Sequence, residues 1–268
     1  MTPGPAPPPG FQRLEDGGAR VWVRPEARAW VEGALRDHGS LYRAAARDPA
    51  ARRMEGRGPV YAIPAAPDEV QAALGEPGGG WVVRRYRRGG SVARFLGDRY
   101  LRVGLPRPFR EVEASEALRA RRLPTPRVVA AAVYPAGLFR RGDLVTVEIR
   151  GAVELAEVLF DPDRRGVAGS VDRKEALGAA GALIRRAARA GVHHPDLNAR
   201  NILLQWSGGA PDAHLVDLDR CRVAREPTPA SPRPMHARLV RSIRKLEKKH
   251  DLQVPEGELR ALARAVAG

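Results

Sequence analysis

Residues 193–201 read His193-His194-Pro195-Asp196-Leu197-Asn198-Ala199-Arg200-Asn201. An apolar run to Trp206, a turn over 207–211, a second apolar run over 213–216 and then Asp217-Leu218-Asp219 follow. Two short apolar runs about a turn predict a hairpin, and a hairpin returns its outer ends to one another. Asp196 and Asn201, before the first strand, are thus brought near Asp217, after the second. Magnesium takes hard oxygen ligands and keeps several waters, so one carboxylate and one amide beside a nucleotide's phosphates make an adequate site; Asp217 and Asn201 are the candidates. A further carboxylate, not engaged by metal, can orient a hydroxyl and accept its proton as a phosphoryl group transfers, and Asp196 is the candidate. Taken singly, Asp and Asn are also what turns and caps select. The ordered conjunction H-x-D-L-x-x-x-N, strand, turn, strand, D-x-D is what matches a phosphotransfer template.

The preceding segment must deliver this loop. Asp172 followed by Glu175 reads as a capping box, and Leu177, Ala180, Leu183, Ile184 and Ala187 then repeat at helical spacing up to Gly191. Upstream, residues 1–20 read as a flexible Pro-rich tail and 21–47 as one or two short helices. Between residues 54 and 105 the pattern turns to short strands at 59–63, 81–86 and 100–103, with a linker over 65–80. A helix over 110–122, ended by Pro124 and Pro126, and strands over 128–133 and 144–149 complete a mostly β half; beyond Gly151 helices dominate. Residues 236–249 form a basic amphipathic helix, with Leu239, Ile243 and Leu246 on one face and Arg238, Arg241, Arg244, Lys245, Lys248 and Lys249 on the other. Its apolar stripe is expected to dock on the C-terminal half, leaving its cations available to a membrane surface.

Composition narrows the class. A chain of 268 residues with 43% hydrophobic residues can bury a core, as one large unit or two lobes. The longest apolar run, residues 128–139, is interrupted by Pro135 and falls short of the roughly 20 residues that cross a bilayer. The first ten residues lack the basic start and apolar stretch of a secretory signal. The single cysteine, Cys221, excludes an internal disulfide and a multi-cysteine zinc site, so the cytoplasm is the expected compartment. With 46 Lys+Arg against 31 Asp+Glu, the net charge of +15 suits anionic partners: nucleic acid, lipid headgroups or phosphorylated substrates. Nucleic acid is not expected, because no zinc finger, aromatic RNA motif or basic zipper accompanies the charge.

Several stretches together resemble the protein-kinase-like fold, and in detail the lipopolysaccharide core kinases, among them those acting on 3-deoxy-D-manno-octulosonic acid (Kdo). They are Gly56-Arg57-Gly58-Pro59-Val60-Tyr61, Val83-Arg84-Arg85-Tyr86-Arg87-Arg88-Gly89-Gly90, Asp98-Arg99-Tyr100-Leu101, Leu123-Pro124-Thr125-Pro126-Arg127, and the loop from His194 through Leu204. The resemblance spans residues 54–249. It implies an α+β bilobal fold with a small β-rich N-terminal lobe over 21–148 and a mainly helical C-terminal lobe over 149–268. It further implies that ATP and Mg bind in the cleft, with Gly56 and Gly58 in a loop covering the phosphates. The strand cation that pairs with phosphate and with a helix carboxylate is lysine in ordinary protein kinases. No lysine precedes Lys174, so the resemblance assigns the position to Arg84 by register, with Arg85 as its neighbour in contention, and the carboxylate to Glu111. Residues 146–149 become the connector between lobes. The implied reaction is phosphorylation of a lipid-linked Kdo sugar at its 4-hydroxyl, by an enzyme peripheral on the cytoplasmic face of the inner membrane. A small-molecule or protein kinase of the same fold, or a nucleotide-binding pseudokinase, fits the same residues; the oligomeric state is left open.

Overall fold

The computed structural model describes residues 5–54, 59–64, 80–86, 100–101, 104–137, 139–161, 172–206 and 208–268. Gly56, Gly58, the run 87–90 and nearly all of the 65–80 linker fall outside them. Two compact units emerge, residues 1–116 with 127–148, and residues 117–126 with 149–268. The chain passes from the first unit to the second between Glu148 and Ile149, and 117–126 falls to the second unit.

The first unit is built on one antiparallel sheet. Its strands are β1 (Gln12–Asp16), β2 (Ala19–Val23), β3 (Arg52–Met54), β4 (Val60–Ile63), β5 (Trp81–Arg85), β6 (Tyr100–Leu101), β7 (Val128–Ala136) and β8 (Phe139–Val147), in the order β1-β2-β7-β8-β5-β4-β3, with β6 paired to β8. Two helices, α1 (Arg28–His38) and α2 (Leu41–Arg47), cover one face. There Val31, Leu35, Leu41 and Ala45 bury with Val21, Val23, Trp81, Val83, Val129, Val145 and Val147. The other face is covered by α3 (Arg107–Ala120), whose Phe109 and Val112 cluster with Trp22, Tyr86, Val128, Ala131, Val133 and Leu144. Trp22 and Phe109 stack with centroids 4.2 Å apart. The alternation along β2 and β5 thus reflects burial on both sides, as a sheet between helical layers requires.

Two expectations are corrected here. The segment read as a flexible tail contains β1 and the turn into β2, and residues 21–23, read as helical, are strand paired to β7. The overlooked signal is Asp16-Gly17-Gly18: Gly17 and Gly18 take φ of 53° and 81°, the left-handed pair of a tight hairpin. Helix α3 also begins earlier than its apolar pattern suggested, because Pro108 lies in its first turn, where a missing N–H costs nothing.

In the second unit, β9 (Val153–Glu154) leads into α4 (Leu155–Phe160), then come α5 (Arg173–Arg189), β10 (Val192–His193), β11 (Ile202–Gln205), β12 (Asp212–Leu215), β13 (Arg222–Val223), α6 (Arg233–His250) and α7 (Glu256–Ala267). Strands β12, β11 and β9 form one antiparallel sheet, and β10 pairs with β13. Asp172 caps α5 by accepting from Lys174 N at 2.7 Å, while the reciprocal capping box forms at Glu154 and Glu157 of α4. Helix α5 packs closely on α7: a Cβ at Gly181 would lie 2.6 Å from Leu262 O and 2.7 Å from Ala265 Cβ. Helix α6 buries Met235, Leu239 and Ile243 within the unit, with Leu246 only half-buried, and exposes Arg238, Arg241, Lys245, Lys248 and Lys249. Among the described residues no helix is long and apolar enough to cross a membrane.

Candidate functional site

The hairpin closes as its sequence pattern demands. Ile202 pairs with Leu215, and Val216 N donates to Asn201 O at 3.1 Å, so Asn201 and Asp217 flank adjacent ends of the β11/β12 ladder. The loop leading in is pinned from several sides. Leu197 and Ala199 are buried, Ala199 N donates to Ser242 Oγ at 3.2 Å, and Ala199 O accepts from Ala156 N at 3.0 Å. The Asp196 carbonyl accepts from both Asn198 Nδ2 at 2.9 Å and Asn201 Nδ2 at 3.2 Å. Two amides on one carbonyl fix the backbone from which the Asp196 carboxylate projects. They also fix the orientation of the Asn201 side chain: its NH₂ faces a carbonyl, which leaves Oδ1 as an acceptor.

His194 braces the loop through its ring Nε2, 3.3 Å from Val216 O, and through its backbone N, which donates to Met235 Sδ at 3.4 Å. Burial pushes the His194 ring below its ordinary value, against the Val216 carbonyl and the charges of Asp217, Asp196 and Asp219. With Nε2 carrying the proton toward Val216 O, the buried Nδ1 has no hydrogen-bond partner among the described residues. Asp217 takes φ 62° and ψ 55°, a left-handed conformation that Asp tolerates better than most residues and that re-aims the chain into a 3₁₀ turn, Leu218–Arg220. Asp219 lies inside this turn and is buried.

Asp196 itself is only partly buried. Arg220 Nη1 reaches its Oδ2 and Arg238 Nη2 its Oδ1 at 2.9 Å. Burial pushes the carboxyl up, but the hydrogen bonds and charges of Arg220 and Arg238 outweigh it and hold the group below the usual aspartate value. Neither arginine was foreseen as a site residue. Arg220 follows Asp217 by three positions, a spacing visible in the sequence, whereas Arg238 lies 42 residues from Asp196 and carries no local signal.

No group of three or more His, Cys, Asp or Glu able to hold a metal occurs among the described residues. Magnesium does not require one: a carboxylate, an amide oxygen, water and nucleotide phosphates complete its octahedron. Asp217 and the Oδ1 of Asn201 fit that donor set.

In the first unit, the alternation of β5 puts Arg84 and Arg85 on opposite faces of the sheet. Arg84 forms an ion pair with Glu111 of α3, whose other oxygen accepts from Tyr86 Oη, and the Arg84 guanidinium lies 4.8 Å from the Tyr86 ring centroid. Arg85 points to the opposite face, 3.4 Å from Asp143 and 4.4 Å over the Tyr42 ring. Tyr86, within the quoted arginine run, was missed as a partner of Glu111.

Comparison with known proteins extends these observations. Residues 70–265 match a model of the lipopolysaccharide kinase (Kdo/WaaP) family. A 3-deoxy-D-manno-octulosonic acid kinase of Stenotrophomonas maltophilia is 37% identical over 191 residues, 70% of this chain and 72% of its own. One from Xanthomonas oryzae is 40% identical over 146 residues, 54% of each chain. Among solved structures, WaaP in complex with acyl carrier protein superposes with a TM-score of 0.50 at 19% identity, covering 92% of this chain and 88% of its own, a likeness of fold.

Proposed function

Because the chain belongs to the lipopolysaccharide kinase (Kdo/WaaP) family, and is with it an ATP-dependent phosphotransferase of lipopolysaccharide core sugar, we propose that its acceptor is the 4-hydroxyl of a lipid-linked Kdo residue. The observation that carries the mechanism is the loop and hairpin of the second unit, which hold Asn201 and Asp217 at one end of a β ladder, with the Asp196 carbonyl hydrogen-bonded to Asn201. The names of the relatives at 37–40% identity support Kdo as the sugar.

In this reading Asp196 receives the acceptor hydroxyl in a hydrogen bond and takes its proton as the acceptor oxygen bonds to the γ-phosphorus. The bond from that phosphorus to the β,γ-bridging oxygen breaks and ADP departs. Asn201 and Asp217 would hold magnesium, which when bound would neutralise charge building on the phosphate oxygens. Arg84, steadied by Glu111 and Tyr86, grips nucleotide phosphate, and an arginine does this with parallel N–H donors where a lysine offers a point charge. Gly56 and Gly58 keep their assignment to the phosphate-covering loop. The exposed cations of α6, together with the net charge of +15, favour encounter with an anionic bilayer that carries the acceptor, on its cytoplasmic face.

The test is transfer from ATP to purified Kdo-bearing lipid A, read by mass spectrometry as the gain of one phosphate on Kdo. Asp196→Ala should lower turnover by roughly 10²–10⁴-fold while Mg-ATP still raises the melting temperature. Undiminished transfer by this variant would refute the assignment of Asp196.

A further inference from the structure

Asp196 carries two arginines for which phosphoryl transfer, as derived above, has no use. Each occupies a different carboxylate oxygen, Arg220 at Oδ2 and Arg238 at Oδ1. A proton acceptor so engaged has both oxygens occupied, which is a poor starting point for receiving a hydroxyl. Nor are the arginines committed to the fold: their side chains are 64% and 46% exposed, and ion pairs this open contribute little to stability. Among the described residues neither guanidinium has another partner, so each keeps spare N–H donors. They arrive from independent elements. Arg220 ends the 3₁₀ turn that follows Asp217, and Arg238 stands on the exposed side of α6. Two guanidiniums converging on one carboxylate, at a solvent-accessible position beside the proposed proton acceptor, form a carboxylate-binding device already shown gripping a carboxylate.

We propose that Arg220 and Arg238 are the binding site for the acceptor's own carboxylate. The inference rests on the reading of the acceptor as Kdo, a sugar acid that is ionised near neutral pH. The incoming carboxylate exchanges for that of Asp196, so the guanidiniums never lose their counter-charge. The exchange orients the sugar by a planar, two-armed contact and releases an Asp196 oxygen to receive the hydroxyl. A neutral sugar cannot make this exchange. It leaves Asp196 paired, and discrimination between a sugar acid and a neutral sugar follows from the same two residues.

The experiment compares Kdo-bearing lipid A with the same acceptor after conversion of the Kdo carboxyl to its methyl ester, using the full chain with ATP and magnesium. The wild-type protein should show a KM for the ester raised roughly 10–100-fold, with KM for ATP unchanged, since a charge-assisted contact is lost. Arg238→Gln and Arg220→Gln should raise KM for the acid toward that of the ester and leave the ester's KM where it was, and Arg238→Lys should recover part of the loss. Equal KM for acid and ester in the wild type would overturn the carboxylate site while leaving the Kdo reading intact. So would variants that raise KM for ATP instead, since the guanidiniums would then serve nucleotide phosphate. Transfer to neither acceptor would overturn the Kdo reading and this inference with it. The wild-type acid and ester comparison decides the matter even if a variant fails to fold.

Discussion

Replacing Arg84 by Gln separates a phosphate-gripping cation from an ion pair that merely ties β5 to α3. The Arg84 side chain is 26% exposed and that of Glu111 only 6%. Removing the guanidinium takes the Arg84 charge away from a buried carboxylate that still accepts from Tyr86 Oη. A hydrogen bond to a charged group is worth about 1.5–3 kcal/mol, and partial exposure of Arg84 lowers the expected loss of stability to about 1–2 kcal/mol. A urea titration reads that as a lower midpoint at unchanged slope. If Arg84 also meets ATP phosphate, a second charge-assisted contact disappears, and kcat/KM for ATP falls by roughly 10–150-fold. Arg84→Lys keeps a cation and should recover most of the ATP effect while restoring less of the stability, since a lysine cannot reproduce the planar contact with both Glu111 and the Tyr86 ring. A stable Arg84→Gln protein whose kcat/KM for ATP stays within about threefold of wild type would refute the phosphate role and leave the pair structural.

Three further outcomes follow from the packing. Asp143 is fully buried and accepts from Tyr42 N at 3.0 Å, while Tyr134 Oη accepts from Leu41 N at 2.9 Å, so the two side chains satisfy the start of α2. Asp143→Ala removes the acceptor of Tyr42 N and the carboxylate that faces Arg85, and should lower the unfolding free energy by about 2–4 kcal/mol in urea. Gly181→Ala forces α5 and α7 apart and should cost about 1–3 kcal/mol, whereas Gly178→Ala, with nothing within 4 Å of the added carbon, should stabilise by about 0.4–1 kcal/mol; thermal melts of the pair test both signs. Burial pushes His194, His214 and His236 down from their ordinary value, so the unfolded chain binds protons that the folded one refuses. Stability is therefore fully present above about pH 6.5 and declines as the pH falls from there toward the folded values; urea midpoints that do not drop between about pH 7 and 5.5 would contradict it.

Much of the second unit's site was legible because its information is local. Loop, strand, turn and strand are contiguous, and a hairpin's geometry obliges its ends to meet, so Asn201 and Asp217 could be paired from spacing alone. The helix before the loop was legible for the same reason, its cap and apolar stripe lying within one stretch of chain. The hairpin of β1 and β2 was equally local, but its signal was obscured by the Pro-rich head, whose composition suggested a tail. By contrast, the face of β5 on which each arginine lies depends on register against β4 and β8, and a slip of one residue would have exchanged Arg84 and Arg85.

The amino-acid sequence by itself determined which chemistry this chain can perform, because the residue types and their order along one loop and hairpin suffice for it. Only the tertiary structure decided what surrounds that chemistry. Arg238 meets Asp196 across 42 residues because α6 docks its apolar stripe on the second unit, and Tyr86 joins Arg84 at Glu111 because α3 lies across that face of the sheet. Contacts of this kind are set by how whole elements bury their apolar faces, and no short window of sequence contains both partners.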